Sequence, residues 1–343
     1  MTEEQWLKNE IEVLSACPLC QCKKSSIMFN SLIDIMMHKS IDKWTLNRCS
    51  ECAVAYLSPR PNRESIHKAY ANYYTHEEGS NTFKKGKFSV FISYLKKIIY
   101  TIKYKREYQF KEYILYLIMY IIYPARLFLD SKIRHIGPLV NNKNHLLDIG
   151  CGNGDFLVFA NNLGWQVMGL DVDKNAVKTA LSKGLNVKLG DIKSLNKGDM
   201  FDMITLNHVI EHVYNPVELI QQCYKHLNPG GKLWLETPNI NSIGLNVYKE
   251  YWRGLEPPRH LVLYNIHTLS KLLSDASFFN ITQKTHGLSG VYMGLQSEKN
   301  MFEFMVNRPF YKRILKYPRI FFIEIIQLIF KKKSEFITLV AYK

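Results

Sequence analysis

The stretch "HLLDIGCGNGDF" at residues 145–156 places a short apolar run directly before three closely spaced glycines, Gly150, Gly152 and Gly154. The apolar run predicts a buried strand, and the apolar residues after the glycines predict a helix. Backbone N–H groups in such a turn can approach a ligand closely, because glycine has no side chain in the way. The third glycine comes one position earlier than in the dinucleotide fingerprint G-x-G-x-x-G. The loop therefore predicts a cofactor site without identifying the cofactor.

The segments around this loop alternate between strand-like and helix-like patterns over residues 141–290. Apolar runs such as "HLLDI" and "QVMGLDVD" are followed by helical patterns that end at glycine, such as "GDFLVFANNLG" and "KNAVKTALSKG". Strands that alternate with helices of this length predict right-handed βαβ units and a parallel, doubly wound sheet. The predicted fold class is α/β, with the ligand at the carboxyl ends of the strands.

Acidic and polar residues end the successive strands. Asp148 lies in the first strand, Asp171 ends the second about twenty residues after the loop, where an acid binds ribose hydroxyls, and Asp191 ends the third. The fourth strand, "FDMITLNHVIEH", also ends in polar residues. A nicotinamide dehydrogenase would need a later hydride-transfer site, which the sequence lacks. A phosphate-binding P-loop is excluded because no Gly-Lys-Ser/Thr follows the glycines.

This ordered set resembles the class I S-adenosylmethionine-dependent methyltransferases over roughly residues 140–290, plus the final strand. The matching stretches are "LDIGCGNG", "GLDVD", "LGDI" and "FDMITLNHVIEHVYNPVELIQQCYKHLNPGGKLWLETPN". The resemblance implies a Rossmann-like seven-stranded methyltransferase sheet with S-adenosylmethionine as cofactor. In that family, Asp171 would bind the ribose and Asp191 the adenine amine, while Asp148 would line the methionine end. The alternative for Asp148 and Asp191 is that they cap loops.

The full set of cofactor-binding residues implied by the resemblance follows the carboxyl ends of the first four strands. Its members are Asp148, Gly150, Gly152, Gly154, Asp171, Val172, Asp191, Ile192, Asn207 and His208.

Two C-x-x-C pairs, "CPLC" and "CSEC", lie near the N-terminus and are separated by a β-like segment. Four thiolates can form a tetrahedral structural zinc site, and two such knuckles are the usual way to supply them. A redox pair and an empty site are the alternatives, and Cys22 could compete as a ligand. The predicted zinc ligands are Cys17, Cys20, Cys49 and Cys52.

These patterns divide the 343 residues into four regions. Residues 1–75 form a zinc-ribbon-like module, residues 76–140 a basic helical linker or lid, and residues 141–290 the cofactor-binding domain. Residues 291–343 supply a helical insertion and the last strand of the sheet. The charged first residues lack the apolar core of a secretory signal, so a cytoplasmic location is expected.

Two apolar stretches leave open whether the protein touches a membrane. Residues 113–129 are interrupted by Pro124 and Arg126 and fall short of the roughly twenty residues that a spanning helix needs. Residues 311–333 form an apolar segment flanked by lysines, with Glu324 and Gln327 spaced to share one polar side. This segment is either an interfacial helix, which would give peripheral contact with the inner membrane face, or a lid over the substrate.

Two histidine-containing segments supply candidate catalytic residues. Glu211 and His212 directly follow the fourth strand, and His260 follows the fifth in "EPPRHLVLYN". A histidine of near-neutral pKa suits removal of a proton from a methyl acceptor. A structural role, such as a cap by Glu211, is the alternative. Contacts with the substrate are expected from Arg259, which suits an anionic group, and from a segment near the zinc module, namely Tyr73, Tyr74 and His76.

The acceptor is predicted from weaker signals. The zinc module followed by "SPRP" and a tyrosine pair resembles bacterial methyltransferases of sugar and surface-polysaccharide modification. The net charge of +15 favours an anionic partner. The predicted acceptor is therefore a small, anionic, sugar-like molecule, free or linked to nucleotide or lipid. An RNA methyltransferase and a non-catalytic scaffold at the membrane surface are the alternatives; nucleic-acid bases are disfavoured because the fourth strand lacks an Asn/Asp-Pro-Pro-aromatic motif.

Overall fold

The computed structural model describes residues 6–35, 42–70, 87–105, 109–139, 144–304 and 316–343. Its N-terminal part is an antiparallel sheet in which β3 lies between β2 and β4, while β1 pairs with β5. The buried residues of β3 and β4 include Trp44, Leu46 and Leu57, which form part of one core cluster. These strands are β1 (Ile11–Glu12), β2 (Ser25–Leu32), β3 (Trp44–Cys49), β4 (Ala55–Leu57) and β5 (Arg60–Pro61).

Three helices follow in the basic aromatic region. The first is extended by a π-helical segment, Thr101–Lys105, and its buried residues Ile98 and Ile99 pack in one cluster with Trp234 of the central sheet. The region therefore covers one face of the sheet. Its helices are α1 (Lys87–Tyr100), α2 (Phe110–Ile121) and α3 (Tyr123–Lys132).

Strands and helices then alternate, as the sequence pattern predicts. The strands are β6 (His145–Ile149), β7 (Gln166–Asp171), β8 (Val187–Leu189), β9 (Phe201–Asn207), β10 (Leu227–Pro238), β11 (Val262–Leu263), β12 (Phe279–Lys284) and β13 (Phe336–Tyr342). The helices are α4 (Asp155–Asn162), α5 (Lys174–Ser182), α6 (Pro216–His226), α7 (Ile243–Tyr248), α8 (Ile266–Asp275), α9 (Ser289–Phe304) and α10 (Lys316–Ile329).

The central sheet has seven strands in the order β12-β13-β10-β9-β6-β7-β8. Strands β10, β9, β6, β7 and β8 run parallel, and β13 is antiparallel to both of its neighbours. The predicted Rossmann-like, mostly parallel sheet of seven strands is confirmed, including the final strand. Strand order reverses between β6 and β9, which is where ligands bind in open sheets of this kind. Consecutive residues Leu146 and Leu147 are both fully buried and face opposite core clusters, because helices cover both faces of β6.

A strand from the central region completes the N-terminal sheet. β11 pairs with β4, which gives the order β11-β4-β3-β2. The Leu57 N–H also donates to the carbonyl of Leu261 over 3.0 Å, and Arg48 donates to the Asn241 side chain over 3.0 Å. Backbone hydrogen bonds thus tie the cysteine-rich part to the segment that carries His260.

Arg259 forms buried ion pairs between the same two parts of the chain. Its guanidinium is fully buried and makes two bonds to Asp34, of 2.6 and 2.7 Å, and one of 3.0 Å to Glu256. The bidentate geometry matches the fork of arginine to a carboxylate. Arg259 therefore does not face an anionic acceptor, and the role predicted for it from the sequence is wrong. Its positive charge is balanced by the carboxylates of Asp34 and Glu256.

The polar side of α10 faces inward. Glu324 accepts the N–H groups of Leu288 and Gly290 over 2.8 and 3.0 Å, and Gln327 accepts the Ser289 hydroxyl over 2.7 Å. Glu324 and Gln327 do share one side, as their spacing predicts, but that side is buried.

Among the described residues no single helix is long and apolar enough to span a membrane. The helical segments Phe110–Ile118 and Tyr123–Lys132 meet the requirements of length and composition together, but they form a pair bent by 109°.

Replacement of Arg259 tests the energetic importance of its ion pairs. Arg259→Leu should lower the free energy of unfolding by about 3–5 kcal/mol, because the Asp34 carboxylate stays buried after losing its bidentate partner. Urea denaturation measures this. As the control, Lys271→Leu removes an exposed pair with Asp275 and should cost no more than about 1 kcal/mol. Equal losses in the two variants would show that the buried pairs are not a major contributor to stability.

Candidate active site

The glycine loop lies at the carboxyl end of β6 and leaves an open face. Gly152 has φ +54°, and a Cβ there would meet nothing within 4 Å. Gly154 has φ +79°, and a Cβ there would come within 2.4 Å of Leu185. Gly154 therefore allows close packing of α4, whereas Gly152 presents bare backbone to the space above the loop.

Asp171 ends β7 beside this loop. Its carboxylate accepts the N–H of Gly152 over 2.7 Å and that of Asp173 over 2.9 Å. Burial raises the pKa of Asp171, although the two hydrogen bonds act to lower it. The next side chain, Val172, is 77% exposed, so it offers an apolar surface next to the acid. Asp171, Gly152 and Val172 thus form one edge of the candidate cofactor site.

Asp191 and Ile192 follow β8 and differ in exposure. Asp191 is exposed and caps a short turn by accepting the Lys193 N–H over 2.9 Å. The side chain of Ile192 is 4% exposed and packs in the core, so a cofactor contact of this residue would have to come from its backbone. The contact of Asp191 with an adenine amine stays a prediction, and its exposed carboxylate is compatible with it.

Asp148 is completely buried and does not line an open surface. One carboxylate oxygen bonds Arg134 and the Thr205 hydroxyl, the latter over 2.7 Å. The other oxygen, Oδ2, has no hydrogen-bond partner among the described residues. Burial raises the pKa of Asp148, although the positive charge of Arg134 acts to lower it. Arg134, which also lies 4.0 Å over the Phe156 ring, was missed because it follows α3 without any motif.

These features fit S-adenosylmethionine. The bare face of Gly152 accommodates a closely approaching ligand, and the acid at the end of β7 suits ribose hydroxyls. The incompletely bonded oxygen of Asp148 lies at the end of β6 next to the loop.

A buried glutamate organises the segment after β9. His208, at φ +55°, places Nδ1 3.1 Å from Glu211 Oε1, and the Thr237 hydroxyl donates to Glu211 Oε2 over 2.9 Å. Burial alone would raise the pKa of Glu211, but the hydrogen bond and charge of His208 outweigh it and lower the pKa to about 2. Glu211 therefore stays ionised at neutral pH and is too weak a base for proton removal. Its contacts support the structural alternative.

His212 and His260 come together from distant parts of the sequence. Their rings are 4.7 Å apart in an edge-to-face arrangement. His212 Nδ1 lies 3.1 Å from the carbonyl of Arg259, and His260 Nδ1 lies 2.8 Å from that of Gly254. Because a carbonyl only accepts, neutral His260 carries its proton on Nδ1 and keeps a lone pair on Nε2, which lies 3.7 Å from Glu256 Oε2. His212 Nδ1 also faces the Tyr70 hydroxyl, which can donate to it, so its contacts do not fix its tautomer. Burial lowers the pKa of His260 to about 4, so it is neutral at pH 7.

Other residues near these histidines were not found from the sequence. The Tyr70 hydroxyl lies 2.9 Å from His212 Nδ1. Glu236 Oε1 lies 3.7 Å from His286 Nε2 and 4.0 Å from His208 Nε2. Tyr70 and His286 lie outside the quoted stretches, whereas Glu236 lies inside the one that ends in "KLWLETPN" but has no role assigned from the sequence. The predicted substrate contacts Tyr73, Tyr74 and His76 lie outside the described residues.

Residues 123–283 match a family model described as a methyltransferase domain. The match spans somewhat less than half of the chain, and it includes most strands of the central sheet.

Curated relatives and solved structures with similarity to this chain carry methyltransferase names. One relative is the ubiquinone biosynthesis O-methyltransferase of Coxiella burnetii (strain RSA 493 / Nine Mile phase I), 31% identical over 126 residues, or 34% of this chain and 54% of that protein. The mitochondrial ubiquinone biosynthesis O-methyltransferase of Rattus norvegicus is 30% identical over 158 residues, or 42% of this chain and 44% of that protein. The chain thus spans about half the length of these relatives. A S-adenosylmethionine-dependent methyltransferase from Archaeoglobus fulgidus aligns with TM-score 0.42 and 21% identity over 59% of this chain and 87% of that one.

Replacement of Asp171 tests the cofactor site. Asp171→Ala should weaken S-adenosylmethionine binding by about tenfold or more, because a charged hydrogen-bond acceptor is removed. Isothermal titration calorimetry measures the dissociation constant. The control is Asp155→Ala, whose side chain on α4 is 72% exposed and pairs with Lys183. Unchanged binding in Asp171→Ala would place the cofactor elsewhere.

Proposed function

We propose that the protein transfers a methyl group from S-adenosylmethionine to a hydroxyl oxygen of a small acceptor. The observation that carries this proposal is the pair His212 and His260, whose rings lie 4.7 Å apart, with the lone pair of neutral His260 on Nε2. They follow β9 and β10, at the same edge of the sheet as the glycine loop. A base at this place has a use when the acceptor must lose a proton, as a hydroxyl does.

The names of the relatives support an oxygen acceptor. The Coxiella burnetii and Rattus norvegicus proteins are both called ubiquinone biosynthesis O-methyltransferases. Because the chain spans only about half of their length, the acceptor of this protein remains part of the proposal.

The chain's own residues have separate tasks in this reaction. Bound S-adenosylmethionine would supply an activated methyl group. Asp171 and Asp191 would hold its ribose and adenine amine, while Gly152 allows close approach. His260, or His212 beside it, would take the acceptor proton on Nε2, and Glu211 would fix the position of His208.

A sugar-like acceptor is the second candidate. It is favoured by the four-cysteine module, because the sheet next to these cysteines includes β11, the strand that follows His260. Arg259 does not support the prediction that this acceptor is anionic, because its guanidinium binds Asp34 and Glu256. A screen of cofactor consumption over phenols and nucleotide sugars distinguishes the two candidates.

We further propose a structural Zn²⁺ bound by Cys17, Cys20, Cys49 and Cys52. One Sγ atom of each lies within 4.8 Å of the others, and the Cys17–Cys52 and Cys20–Cys49 distances are 3.7 and 3.5 Å. Thiolates about 2.3 Å from a tetrahedral zinc have similar separations. Burial would raise the pKa of Cys49, but N–H groups of Cys52 and Glu51 outweigh it and lower the pKa to about 7. For Cys17 burial dominates instead and raises the pKa to about 11.

The base assignment predicts separate effects on turnover and binding. His260→Asn and His212→Asn should lower kcat by about 10²–10⁴ without changing cofactor affinity, because general-base catalysis contributes that much. A radiolabelled methyl-transfer assay with calorimetry measures both. In the wild type, kcat/KM should fall as pH drops through the His260 pKa of about 4, where Nε2 becomes protonated.

The control for this pair is His267→Asn, because His267 is exposed on α8. Its turnover should equal that of the wild type. Wild-type turnover in both His260→Asn and His212→Asn would refute the assignment.

The zinc proposal predicts one zinc ion per chain in protein purified without chelator. Cys49→Ser should lose the metal and lower the melting temperature, since metal binding is coupled to folding. Cys22→Ser is the control, because Cys22 Sγ faces the Lys24 carbonyl at 3.6 Å. Mass spectrometry of the metal checks both. Metal-free wild type, or loss of zinc from Cys22→Ser alone, would contradict the ligand set.

A further inference from the structure

Helix α2 exposes an apolar stripe on the surface. Its exposed apolar residues recur at intervals of three and four, which places them on one face. Phe110 and Ile121, at the two ends, are 79% and 82% exposed. The stripe on α2 consists of Phe110, Tyr113, Ile114, Leu117, Ile118 and Ile121.

Helix α10 exposes a second stripe of the same kind. Tyr317 is 70% exposed, Phe321 65% and Ile329 64%. The opposite side contains the buried Glu324 and Gln327. The usual arrangement of a surface helix, with apolar residues inside and polar residues outside, is therefore partly inverted. The stripe on α10 consists of Tyr317, Phe321, Phe322, Ile325 and Ile329.

Helix α10 and helix α3, which follows α2 in the sequence, both contact the turn around Gly287. Gly287 packs directly against Pro124 and Leu127 of α3, which follows α2. On the other side, Glu324 of α10 accepts the N–H groups of Leu288 and Gly290. Helix α10 and the helix that follows α2 therefore meet at one short turn.

The charges around α10 indicate which partner fits. Lys316 begins the helix, and Lys331, Lys332 and Lys333 follow its end. Glu324, the acid within the helix, is buried. An apolar and aromatic face between basic ends suits an anionic lipid surface, where apolar side chains enter the headgroup boundary and lysines bind the headgroups. A second copy fits less well, because parallel and antiparallel packing of two α10 helices both place lysines against lysines.

We propose that the stripes on α2 and α10 dock the protein on an anionic lipid bilayer, with the lysines that flank α10 contacting the headgroups. This inference goes beyond the methyl-transfer proposal and is tested without any acceptor.

Vesicle co-sedimentation of the full chain tests the proposal. Vesicles of phosphatidylcholine with phosphatidylglycerol should bind the wild type, and pure phosphatidylcholine should bind it less. Phe321→Asp/Ile329→Asp and Phe110→Asp/Ile121→Asp should each lower partitioning by about tenfold or more, because charges are then placed in the acyl boundary. Lys331→Gln/Lys332→Gln/Lys333→Gln should abolish the preference for anionic vesicles.

The matched control is Val13→Asp/Ile27→Asp, which changes two apolar side chains, 77% and 65% exposed, outside both stripes. It should sediment like the wild type, and calorimetric S-adenosylmethionine binding with thermal melting should verify that each variant is folded. The proposal is overturned if the wild type does not bind anionic vesicles, or if folded stripe variants bind as the wild type does. A stripe-dependent dimer in light scattering, with unchanged vesicle binding, would overturn it in favour of self-association.

Discussion

The buried bond between Arg259 and Asp34 is the interaction on which the candidate site depends. It crosses 225 positions of sequence and joins the loop after β2 to the loop after β10. The Arg259 carbonyl also lies 3.1 Å from His212 Nδ1, and the next residue is His260. Arg259 thus contacts both the N-terminal part and His212, and it directly precedes His260 in the sequence. A small shift of this loop would separate the two rings, which are 4.7 Å apart.

The candidate cofactor edge, around Gly152 and Asp171, and the proposed acceptor edge, around Glu211, His212 and His260, are built by different kinds of interaction. At the cofactor edge, backbone geometry dominates, because the glycine loop and the Asp171 carboxylate are joined by N–H bonds. At the acceptor edge, buried charges dominate, with Glu211 ionised beside His208 and Glu256 beside Arg259. Backbone loops can close on a ligand with little electrostatic cost, whereas buried charges require fixed partners. The acceptor edge therefore demands support from the N-terminal sheet, and the sharing of β11 provides it.

This difference explains how much the sequence reveals. The alternating strands and helices, the glycine loop and the acids at strand ends are predictable because they depend on local periodicity and on fixed positions along each strand. The number of seven strands is implied by the resemblance to the class I methyltransferases. Arg134, Glu236 and His286 are not predictable, since each gains its role from partners far away in sequence. Arg259 is the instructive error. An arginine beside a histidine that is a candidate base suggests anion binding, but its carboxylate partner Asp34 carries no motif that sequence reasoning could connect to it.

Helix α10 shows a related limit of periodicity. The spacing of Glu324 and Gln327 correctly indicates that they share a side, but it does not determine whether that side faces water. The structure shows why it faces inward: the start of α9 presents N–H groups at Leu288 and Gly290, and Glu324 accepts both. A helix N-terminus has N–H groups without partners in the helix, so a buried end needs an acceptor. The side of α10 that supplies this acceptor also buries Ile320 and Ile323, and the stripe on α10 faces outward. The exposed apolar surface thus lies opposite the side that caps α9.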